Sequence, residues 1–403
     1  KLGIRLPEGN ASFQLVDWHT WKESVVSQLS QGVEQLCKAN GVTVVKGSAT
    51  FLSADRIGVE TGGDFETYKF RQAIIATGSR PFVPQSLATD HELILDSTDL
   101  LNLKELPGTL AIIGGGYIGM ELGMAYAKLG PKVTVVEAAN SILPQTASHL
   151  TQEVRKQAKQ LGITLKTATK VESMSRGDGG VTLALLSEAN GREELTVEKA
   201  GVTIGRVPNT GEIGLGQAGV NVDERGHIPV DAFCRTNQPH IFAIGDVTPG
   251  PALAHRASKQ GIVAAEVIAD LPSSMDSPYV PYVIFTDPPI AGVGLTRAEA
   301  EALGHRVKAA SFPYRANGKA LTLGEREGFA EVIVEEDAHL LLGMHVVGAD
   351  APNLIGEGVL ALELAARVED LALTIHPHPT LSEVWLEAAE AVLGHAIHIV
   401  NKK

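Results

Sequence analysis

The spacing of apolar positions near the start of the chain predicts a long amphipathic helix over residues 14–39. Large apolar side chains return every three or four residues, the period of one helix face, at Leu15, Trp18, Trp21, Val25, Leu29, Val33 and Leu36. Asn40-Gly41 follows, a pair typical of a helix C-cap. The next runs are rich in β-branched residues and are separated by Gly and Asp, so they predict strands: VTVVKG, RIGVE and YKFRQAIIATGS.

After Pro107-Gly108 the pattern changes to alternating strand and helix periods. Residues 109–137 predict a strand, a glycine turn, a helix and a second strand. A further helix over about 147–161 and a strand over 164–171 follow. This alternation predicts a wound parallel sheet, and residues 181–204 then look like hairpin strands.

The last part of the chain predicts a separate α+β domain. HIFAIGDV predicts a short strand, a helix of small residues over about 254–270 follows it, and LPSSMDSP is typical of a linker. From Tyr282 onward strands and helices alternate again.

Composition narrows the class of protein. With 403 residues, two or three domains are expected, and 44% hydrophobic against 20% charged residues is typical of a chain with a sizeable core. A formal net charge of −13 argues against a nucleic-acid or anionic-membrane surface. We find no run of 18 apolar residues, and KLGIRLPEGN has no apolar signal core, so neither a membrane span nor a secretory address is predicted.

The cysteine content predicts neither a structural zinc site nor a redox dithiol. Cys37 and Cys234 are the two cysteines, and they are far apart in the sequence. Each is most simply a small buried apolar residue. This usage favours reducing, cytoplasmic surroundings.

The glycine turn at IIGGGYIGME predicts a dinucleotide site. Gly114, Gly116 and Gly119 give the spacing G-x-G-x-x-G between a strand and a helix, and Glu137 ends the next strand. Gly114 would make the tight turn, Gly116 would let the backbone approach a pyrophosphate, and Gly119 would allow close packing. Glu137 would accept hydrogen bonds from ribose hydroxyls and repel a 2′-phosphate, which favours NAD over NADP. The alternative is a glycine-rich packing turn.

Two strand ends suggest a second nucleotide. Thr77, Gly78 and Ser79 end one strand in small residues, and Asp246 ends another apolar strand with a carboxylate that could hold a polyol hydroxyl. Each is also compatible with an ordinary strand-end turn.

The segment HPHPTLSE contains a candidate general base. A histidine works as a base near neutral pH, and a carboxylate on one ring nitrogen fixes its tautomer, so His378 and Glu383 fit these roles. The alternative for His378 is an ordinary loop histidine beside Pro379. His376 is interpreted as a bystander, and since no third ligand is near it, no metal site is predicted.

Taken together, these motifs resemble the FAD- and NAD-dependent pyridine nucleotide–disulfide oxidoreductases over essentially the whole chain. The matching segments follow the order of the family: ATGSRP, GGGYIGMELG, GRVPNT, IFAIGDV, PALAHRAS, FTDPPIAGVGLT, RANGKAL and HPHPTLSE. The resemblance implies an α/β fold of glutathione-reductase-like, Rossmann-type FAD- and NAD-binding domains with a C-terminal α+β dimerisation domain. The implied segments are 1–104 and 233–281 (FAD), 105–232 (NAD) and 282–403 (interface).

The resemblance also implies which residues contact the cofactors. For NAD they are Gly114, Gly115, Gly116, Tyr117, Ile118, Gly119, Met120, Glu121, Glu137, Val171 and Gly205. For FAD they are Gly47, Thr77, Gly78, Ser79, Asp246, Ala252, Leu253, Ala254 and His255, where His255 could also act only through its backbone or packing.

Within the family the motifs are most similar to members that oxidise dihydrolipoamide. The implied partners are dihydrolipoamide on a lipoyl domain, the E2 subunit of a 2-oxo acid dehydrogenase complex, and a second copy of the chain, whose site His378 would complete. One alternative is a mercuric-reductase-like enzyme, which is disfavoured because the tail HIVNKK lacks the extra cysteines of that enzyme. A glutathione-reductase-like enzyme, which uses NADP, is disfavoured by Glu137. The last alternative is a truncated, non-catalytic NAD-binding or docking fragment.

The sequence departs from the family pattern at its start. The family begins with an FAD-binding G-x-G-x-x-G, a C-x4-C redox pair and a lysine that pairs with the residue matching Glu121, and we find none of them here. They would need at least one further βαβ unit of ~30 residues. We therefore expect the sequence to be incomplete at its N-terminus, rather than proteolysed or a genuine fragment.

Overall fold

The first predicted helix is confirmed in the computed structural model, which describes residues 13–401. It forms α1 (Leu15–Ala39). The Lys22 ammonium group donates a hydrogen bond to the carbonyl oxygen of Leu101 (2.8 Å), which ties the helix to the segment before the central sheet. No residue of α1 is buried by the rest of the described chain, so Trp21 and Leu29 are exposed. The prediction made for the first ten residues lies outside the described residues.

The following segment contains an antiparallel three-stranded sheet and several short elements. These are β1 (Ser48–Ser53), β2 (Arg56–Thr61), β3 (Asp64–Lys69), β4 (Ala73–Ile75), β5 (Ser79–Pro81), β6 (Ile94–Leu95) and α2 (Ser97–Leu101). Strands β1, β2 and β3 form the sheet in that order.

Two strand predictions in this segment are wrong. The run VTVVKG is not a strand: residues 42–46 are exposed and have no ladder partner among the described residues, so their β-branched side chains have nothing to pack on. The run YKFRQAIIATGS is divided among β3, β4 and β5, which belong to three different sheets.

The predicted wound sheet is confirmed in the middle of the chain. Its elements are β7 (Thr109–Ile113), α3 (Tyr117–Leu129), β8 (Lys132–Val136), α4 (Ser148–Gln160) and β9 (Thr164–Lys166), followed by β10 (Thr169–Gly177), β11 (Gly180–Ser187), β12 (Gly191–Val197) and β13 (Lys199–Val202). The parallel sheet has the order β6-β13-β7-β8-β9, and β10, β11 and β12 form a separate antiparallel sheet.

Residues 164–171 and 181–204 each divide between these two sheets, which corrects the predictions of one strand and of simple hairpins. Strand β13 leaves the hairpin region and inserts between β6 and β7, where Ala200, Gly201 and Val202 are buried. A short apolar run buried on both faces is typical of a parallel strand.

A long-range pairing returns the chain to its first segment. The elements are β14 (Arg206–Pro208), α5 (Leu215–Ala218), β15 (Ile241–Ala243) and α6 (Ala254–Ile268). Strand β15 lies parallel to β4, and β14 lies antiparallel to β5. These pairings support a first domain that continues after the second, and the boundaries 104, 232 and 281 stay predictions.

The C-terminal part is the predicted α+β domain. Its elements are β16 (Tyr282–Ile284), β17 (Ile290–Gly294), α7 (Arg297–Ala302), β18 (Val307–Pro313), α8 (Gly318–Leu323), β19 (Phe329–Glu335), β20 (Leu341–Val347), α9 (Ala351–Glu363), α10 (Val368–Leu373) and α11 (Glu383–Leu393). The antiparallel sheet has the order β16-β17-β20-β19-β18, and α9 and α11 pack against it.

Helix α11 is fixed by its buried face. Its apolar residues Val384, Trp385, Ala388, Ala389 and Val392 return with helical spacing and belong to the largest core of this domain. Trp385 is fully buried, and its indole N–H donates to the carbonyl oxygen of Leu354 in α9 (3.1 Å). The first turn of α11, which begins at Glu383, is therefore held against α9.

Side-chain contacts join the central and C-terminal units. His149 in α4 lies 2.9 Å from a carboxylate oxygen of Glu331, and the Lys128 ammonium group lies 2.7 Å from that of Asp287. Among residues 13–401, we find no helix with the length and apolar character needed to cross a membrane.

Trp385→Ala should destabilise the C-terminal domain. Removing a fully buried indole leaves a cavity and breaks the hydrogen bond from its N–H to the Leu354 carbonyl oxygen, so the free energy of unfolding should fall by about 3–5 kcal/mol. Leu303→Ala removes an exposed side chain of the same domain and should change it by less than about 0.5 kcal/mol. Chemical denaturation followed by circular dichroism compares the two variants, and equal losses would contradict the assignment of the core.

Candidate functional site

The three glycines of the turn between β7 and α3 have different structural reasons. Gly114 has φ +105°, in the left-handed region. A Cβ on Gly119 would lie 1.9 Å from the carbonyl oxygen of Gly114, so any side chain there would displace the turn. A Cβ on Gly116 would meet nothing within 4 Å. Backbone conformation therefore explains Gly114 and close packing explains Gly119, while Gly116 borders open space at the N-cap of α3.

Thr203 holds this turn in place from a neighbouring strand. Its hydroxyl lies 3.0 Å from the carbonyl oxygen of Ile113 and 3.1 Å from that of Gly114. Sequence reasoning missed this residue, because it follows β13, whose insertion beside β7 is visible only in the fold.

Glu137 crosses the open side of the turn. One carboxylate oxygen accepts a hydrogen bond from the Gly115 N–H and the other from the Ala139 N–H, both at 2.6 Å. The negative charge is thus fixed next to the N-terminal end of α3. This supports the predicted preference for a ribose hydroxyl over a 2′-phosphate.

The residues of the turn fit a dinucleotide. The first N–H groups of a helix lack intrahelical acceptors, and α3 presents them beside Gly116, whose missing side chain leaves the approach open. Ile118 and Met120 lie in the first turn of α3, and Met120 is fully buried beneath it. A glycine that packing does not require is what a site for a phosphate needs.

Val171 and Gly205 lie at the margins of this region. Val171 is in β10 and packs against the apolar core of the unit. That strand begins beside Glu137, since the Thr169 N–H donates to the Glu137 carbonyl oxygen (3.0 Å). Gly205 has φ +135° and accepts a hydrogen bond from the Phe82 N–H (2.9 Å). Their contacts with NAD stay predictions.

The two strand ends predicted to hold a second nucleotide are brought together. The hydroxyl of Ser79 donates to the carboxylate of Asp246 (2.5 Å), although the two residues are far apart in the sequence. The guanidinium group of Arg206 donates to the same hydroxyl oxygen (2.7 Å). Thr77 is also held, through its hydroxyl group, by the carbonyl oxygen of Asn209 (2.8 Å). Gly78 between them has φ +69° and open space around a potential Cβ.

The fit to FAD rests on this cluster. A carboxylate, a hydroxyl group and a guanidinium group meet beside backbone without a side chain, which suits polyol and phosphate oxygens. Sequence reasoning missed Arg206. This residue lies in β14, and the antiparallel pairing of β14 with β5 brings it close to Ser79.

The other residues predicted to contact FAD have local packing contacts that do not indicate a ligand. Gly47 packs against Glu60 and Thr61 of β2. Ala252 and Leu253 precede α6, and Ala254 is its first residue. The ring of His255 lies 2.6 Å from the carbonyl oxygen of Pro281, which supports the packing role considered for it. Their contacts with FAD stay predictions.

Tyr117 and Glu121 connect the two predicted cofactor regions. Burial raises the pKa of Tyr117, the positive charge of Arg206 opposes this, and the carboxylates of Glu121 and Asp246 add to it, so all four lie in one electrostatic neighbourhood. Burial also raises the pKa of Glu121, against the effect of a hydrogen bond from the Phe285 N–H (2.8 Å). The glycine turn and the Ser79–Asp246–Arg206 cluster therefore adjoin.

The structure brings the predicted base and its carboxylate together. Nδ1 of His378 lies 2.9 Å from Oε1 of Glu383, and the Thr380 N–H donates to Oε2 (2.9 Å). The His378 side chain is 76% exposed, whereas that of Glu383 is 20% exposed. An ionised Glu383 requires the proton on Nδ1, so Nε2 of a neutral His378 is free to accept one.

Hydrogen bonding keeps Glu383 ionised. Partial burial on its own raises the pKa of this carboxyl, but the hydrogen bonds from the Thr380 N–H and the His378 ring, with the charges of His378 and His398, lower it overall. A carboxylate that accepts two directed hydrogen bonds is a stable orienting group for an imidazole.

Other histidines fall outside the predicted site or differ from expectation. His376, interpreted as a bystander, instead has an almost fully covered side chain that is paired with Glu357 in α9, which the local sequence does not signal. His91, Asp96 and Asp99 lie close enough to share an ion. However, Asp96 and Asp99 already form the capping box of α2, and His91 bonds Asp99.

Comparisons with known proteins agree with this geometry. A family model described as "Pyridine nucleotide-disulphide oxidoreductase" matches residues 5–261, and the dimerisation domain of the same family matches residues 280–389. The chain is 45% identical to a dihydrolipoyl dehydrogenase of Halobacterium salinarum over 96% of this chain and 82% of that relative. It is also 45% identical to one of Geobacillus stearothermophilus over 100% of this chain and 85% of that relative.

Solved structures with the same fold include LpdA from Mycobacterium tuberculosis, with a TM-score of 0.89 at 27% identity over 95% of this chain and 84% of that one. The HOCl-induced flavoprotein disulfide reductase RclA from Escherichia coli matches with a TM-score of 0.84 at 29% identity over 92% and 84%. The predicted fold class is confirmed.

The variants Gly116→Ala and Gly119→Ala should distinguish a glycine needed for NADH binding from a glycine needed for packing of the turn. Gly116→Ala places a methyl group in open space at φ −70°, so stability should stay within about 0.5 kcal/mol while NADH affinity falls roughly tenfold. Gly119→Ala should lower stability by about 1–3 kcal/mol because the turn must shift. Fluorescence titration with NADH and thermal denaturation measure both. Unchanged NADH affinity in Gly116→Ala would contradict the site.

Glu137→Arg should shift the preference from NADH towards NADPH by roughly tenfold or more, because an attractive charge replaces a repulsive one beside the 2′-phosphate position. The ratio of the two dissociation constants measures this. Glu212→Arg makes the same change in net charge at an exposed position and should leave the ratio unchanged. A ratio that moves equally in both variants would show a general charge effect.

Proposed function

Because the chain belongs to the pyridine nucleotide-disulphide oxidoreductase family, we propose that it is a dihydrolipoyl dehydrogenase, which oxidises dihydrolipoamide to lipoamide and reduces NAD+. The observation that carries this proposal is the His378–Glu383 pair, whose outer ring nitrogen is free to take a proton. Its relatives of 45% identity over nearly the whole chain have the same activity in their names.

FAD and NAD are the cofactors of this function. The turn at Gly114–Gly119 with Glu137 would hold NAD, and the Ser79–Asp246–Arg206 cluster would hold part of FAD. When bound, FAD supplies the two-electron relay that links dithiol oxidation to hydride transfer to NAD+. The protein's own contribution is to place the two sites side by side and to manage protons.

The proton role belongs to His378. Oxidation of dihydrolipoamide begins when one of its thiols attacks a redox disulfide, forming a mixed disulfide and releasing one enzyme thiolate. The attacking sulfur loses its proton, and Nε2 of His378 accepts it while Nδ1–H remains on Glu383. The second substrate thiol then gives its proton to the enzyme thiolate released first. Its sulfur attacks the substrate sulfur of the mixed disulfide, which breaks the bond to the other enzyme sulfur, releases that sulfur as a thiolate and closes the lipoamide ring.

The two cysteines of this sequence do not form that disulfide. Cys37 is in α1 and Cys234 is buried, with its thiol 3.7 Å from the carbonyl oxygen of Gln260. Burial raises the pKa of Cys234 to about 11, which makes it a poor nucleophile near neutral pH. Residues 13–401 therefore supply the base and the cofactor frameworks of the reaction.

The dimerisation domain at residues 280–389 indicates a homodimer, and His378 lies within it. Strongly exposed apolar side chains lie in this part of the chain, at Leu373 and Ile375 shortly before the base and at Ile397 and Val400 in the segment after α11. Such side chains favour burial against another chain. The inferred arrangement has His378 of one subunit completing the site of the other.

The finer partners follow from the function. The expected substrate is dihydrolipoamide on a lipoyl domain, and the expected assembly partner is the E2 subunit of a 2-oxo acid dehydrogenase complex. A cytoplasmic location is supported by the two unpaired cysteines. Glu137 argues against an NADP-linked glutathione-type reductase, because it fixes a negative charge at the ribose end of the site.

His378→Gln should abolish lipoamide chemistry selectively. Without the base, dihydrolipoamide-dependent reduction of NAD+ by the full-length protein should fall roughly a hundredfold to ten-thousandfold. NADH-driven reduction of an artificial dye should stay near the original rate, because it needs no thiol deprotonation. Steady-state assays of both reactions measure the difference.

His395→Gln is the matched control for this test, since it removes another exposed imidazole of the same domain that is only weakly paired, 3.9 Å from Glu390. Both activities should persist in it. Equal loss of the two activities in His378→Gln would overturn the role of base.

A further inference from the structure

His376, two residues before the proposed base, has a side chain that is almost fully buried and hydrogen-bonded at both ring nitrogens. Its side chain is 4% exposed, in a loop whose next histidine points to solvent. Nε2 lies 2.8 Å from Oε1 of Glu357 in α9, and Nδ1 lies 3.0 Å from the carbonyl oxygen of Thr374. A loop bystander would need neither contact.

The partners of His376 favour a charged ring. A carboxylate and a carbonyl oxygen can only accept hydrogen bonds, so both ring nitrogens donate when Glu357 is ionised. The hydrogen bond to Glu357 raises the pKa of His376 against the opposing effect of burial, and the charges of Glu357 and Glu383 raise it further. His376 and Glu357 thus form an ion pair beneath the loop.

The same loop is anchored again beyond the base. The side-chain amide of the buried Asn317, which caps α8, donates to the carbonyl oxygen of Thr380 (3.0 Å). The Thr380 N–H donates to Glu383 (2.9 Å). Residues 374–380 are therefore fixed on both sides of His378, to α9 before it and to α8 and α11 after it.

We propose that His376 and Glu357 are positioning residues for the proton transfer at His378. The side chain of residue 376 is anchored to α9 and the backbone of residue 380 to the cap of α8, which restrains the loop between them and keeps the His378 ring where Glu383 can fix its tautomer. This inference rests on the proposed function and adds to it a second histidine–carboxylate pair, which touches no substrate and acts through the first.

The ion pair also sets the charge around the base. The charged groups that act on the loop include His376 itself, Glu357 on α9 and Glu383 on α11. The charge of His398, in the segment after α11, lowers the pKa of Glu383. With His376 charged, Glu357 is neutralised. A variant that lacks the ring but keeps Glu357 leaves an additional negative charge near His378, which favours the protonated form of the base.

Three variants of the full-length protein test the proposal: His376→Asn, Glu357→Gln and the double variant. In each, kcat for dihydrolipoamide should fall roughly tenfold to a hundredfold because the base loses its fixed position, while NADH-driven dye reduction stays unchanged. The acid limb of the lipoamide pH profile should move to higher pH in His376→Asn. It should return in the double variant although the rate stays low.

His91→Asn is the matched control. It removes an imidazole that lies 2.8 Å from a carboxylate oxygen of Asp99 in an exposed pair elsewhere, at a positive φ that asparagine accepts. Both activities should match the unmodified protein. If His376→Asn fails to fold, Glu357→Gln carries the test alone, because its side chain is partly exposed and keeps its shape.

The outcomes distinguish this inference from the proposed function. Lipoamide rates within twofold of the unmodified protein in both single variants, with His378→Gln inactive, would overturn only the positioning role. A parallel loss of dye reduction would show a general structural role instead, and would also overturn it. Absence of lipoamide turnover in the unmodified protein would overturn the proposed function and this inference with it.

Discussion

The C-terminal site depends on the two hydrogen bonds that the Glu383 carboxylate accepts, one at each oxygen. Glu383 gives one oxygen to the His378 ring and the other to the backbone of Thr380. It can do so because it begins α11, whose opposite face is buried around Trp385. Core packing thus determines where the carboxylate lies, and the carboxylate determines which ring nitrogen of His378 is free.

The cofactor side of the molecule depends on a different constraint, the convergence of strand ends. The parallel strands β7 and β8 end at the glycine turn and at Glu137, and β15 leads to Asp246. Ligands of open α/β sheets bind beyond the carboxyl ends of the strands. Arg206, Tyr117 and Ser79 link these ends into one polar region, so a nicotinamide cofactor and a flavin would be neighbours, as a two-electron relay requires.

Local sequence patterns predicted the features that depend on local physics. The glycine turn, the helices α1, α3, α4 and α6, and the His378–Glu383 pair all follow from periodicity or from spacing within one segment. The failures share a different cause, partners that are distant in sequence. VTVVKG has strand composition but pairs with no strand among residues 13–401. Strand β13 changes sheets to lie beside β7, and Arg206 reaches Ser79 through the β5–β14 pairing. His376 was interpreted as a bystander because its partner, Glu357, lies in α9 and is distant in the sequence.

The central claim is that His378 and Glu383 serve only the thiol half of the reaction. Rapid mixing of oxidised Glu383→Gln protein with dihydrolipoamide, and separately with NADH, follows flavin reduction from each side by absorbance. We predict reduction by dihydrolipoamide slowed roughly a hundredfold, since general-base assistance is impaired, with reduction by NADH at the original rate. Equal slowing from both sides, or no slowing with dihydrolipoamide, would contradict the account.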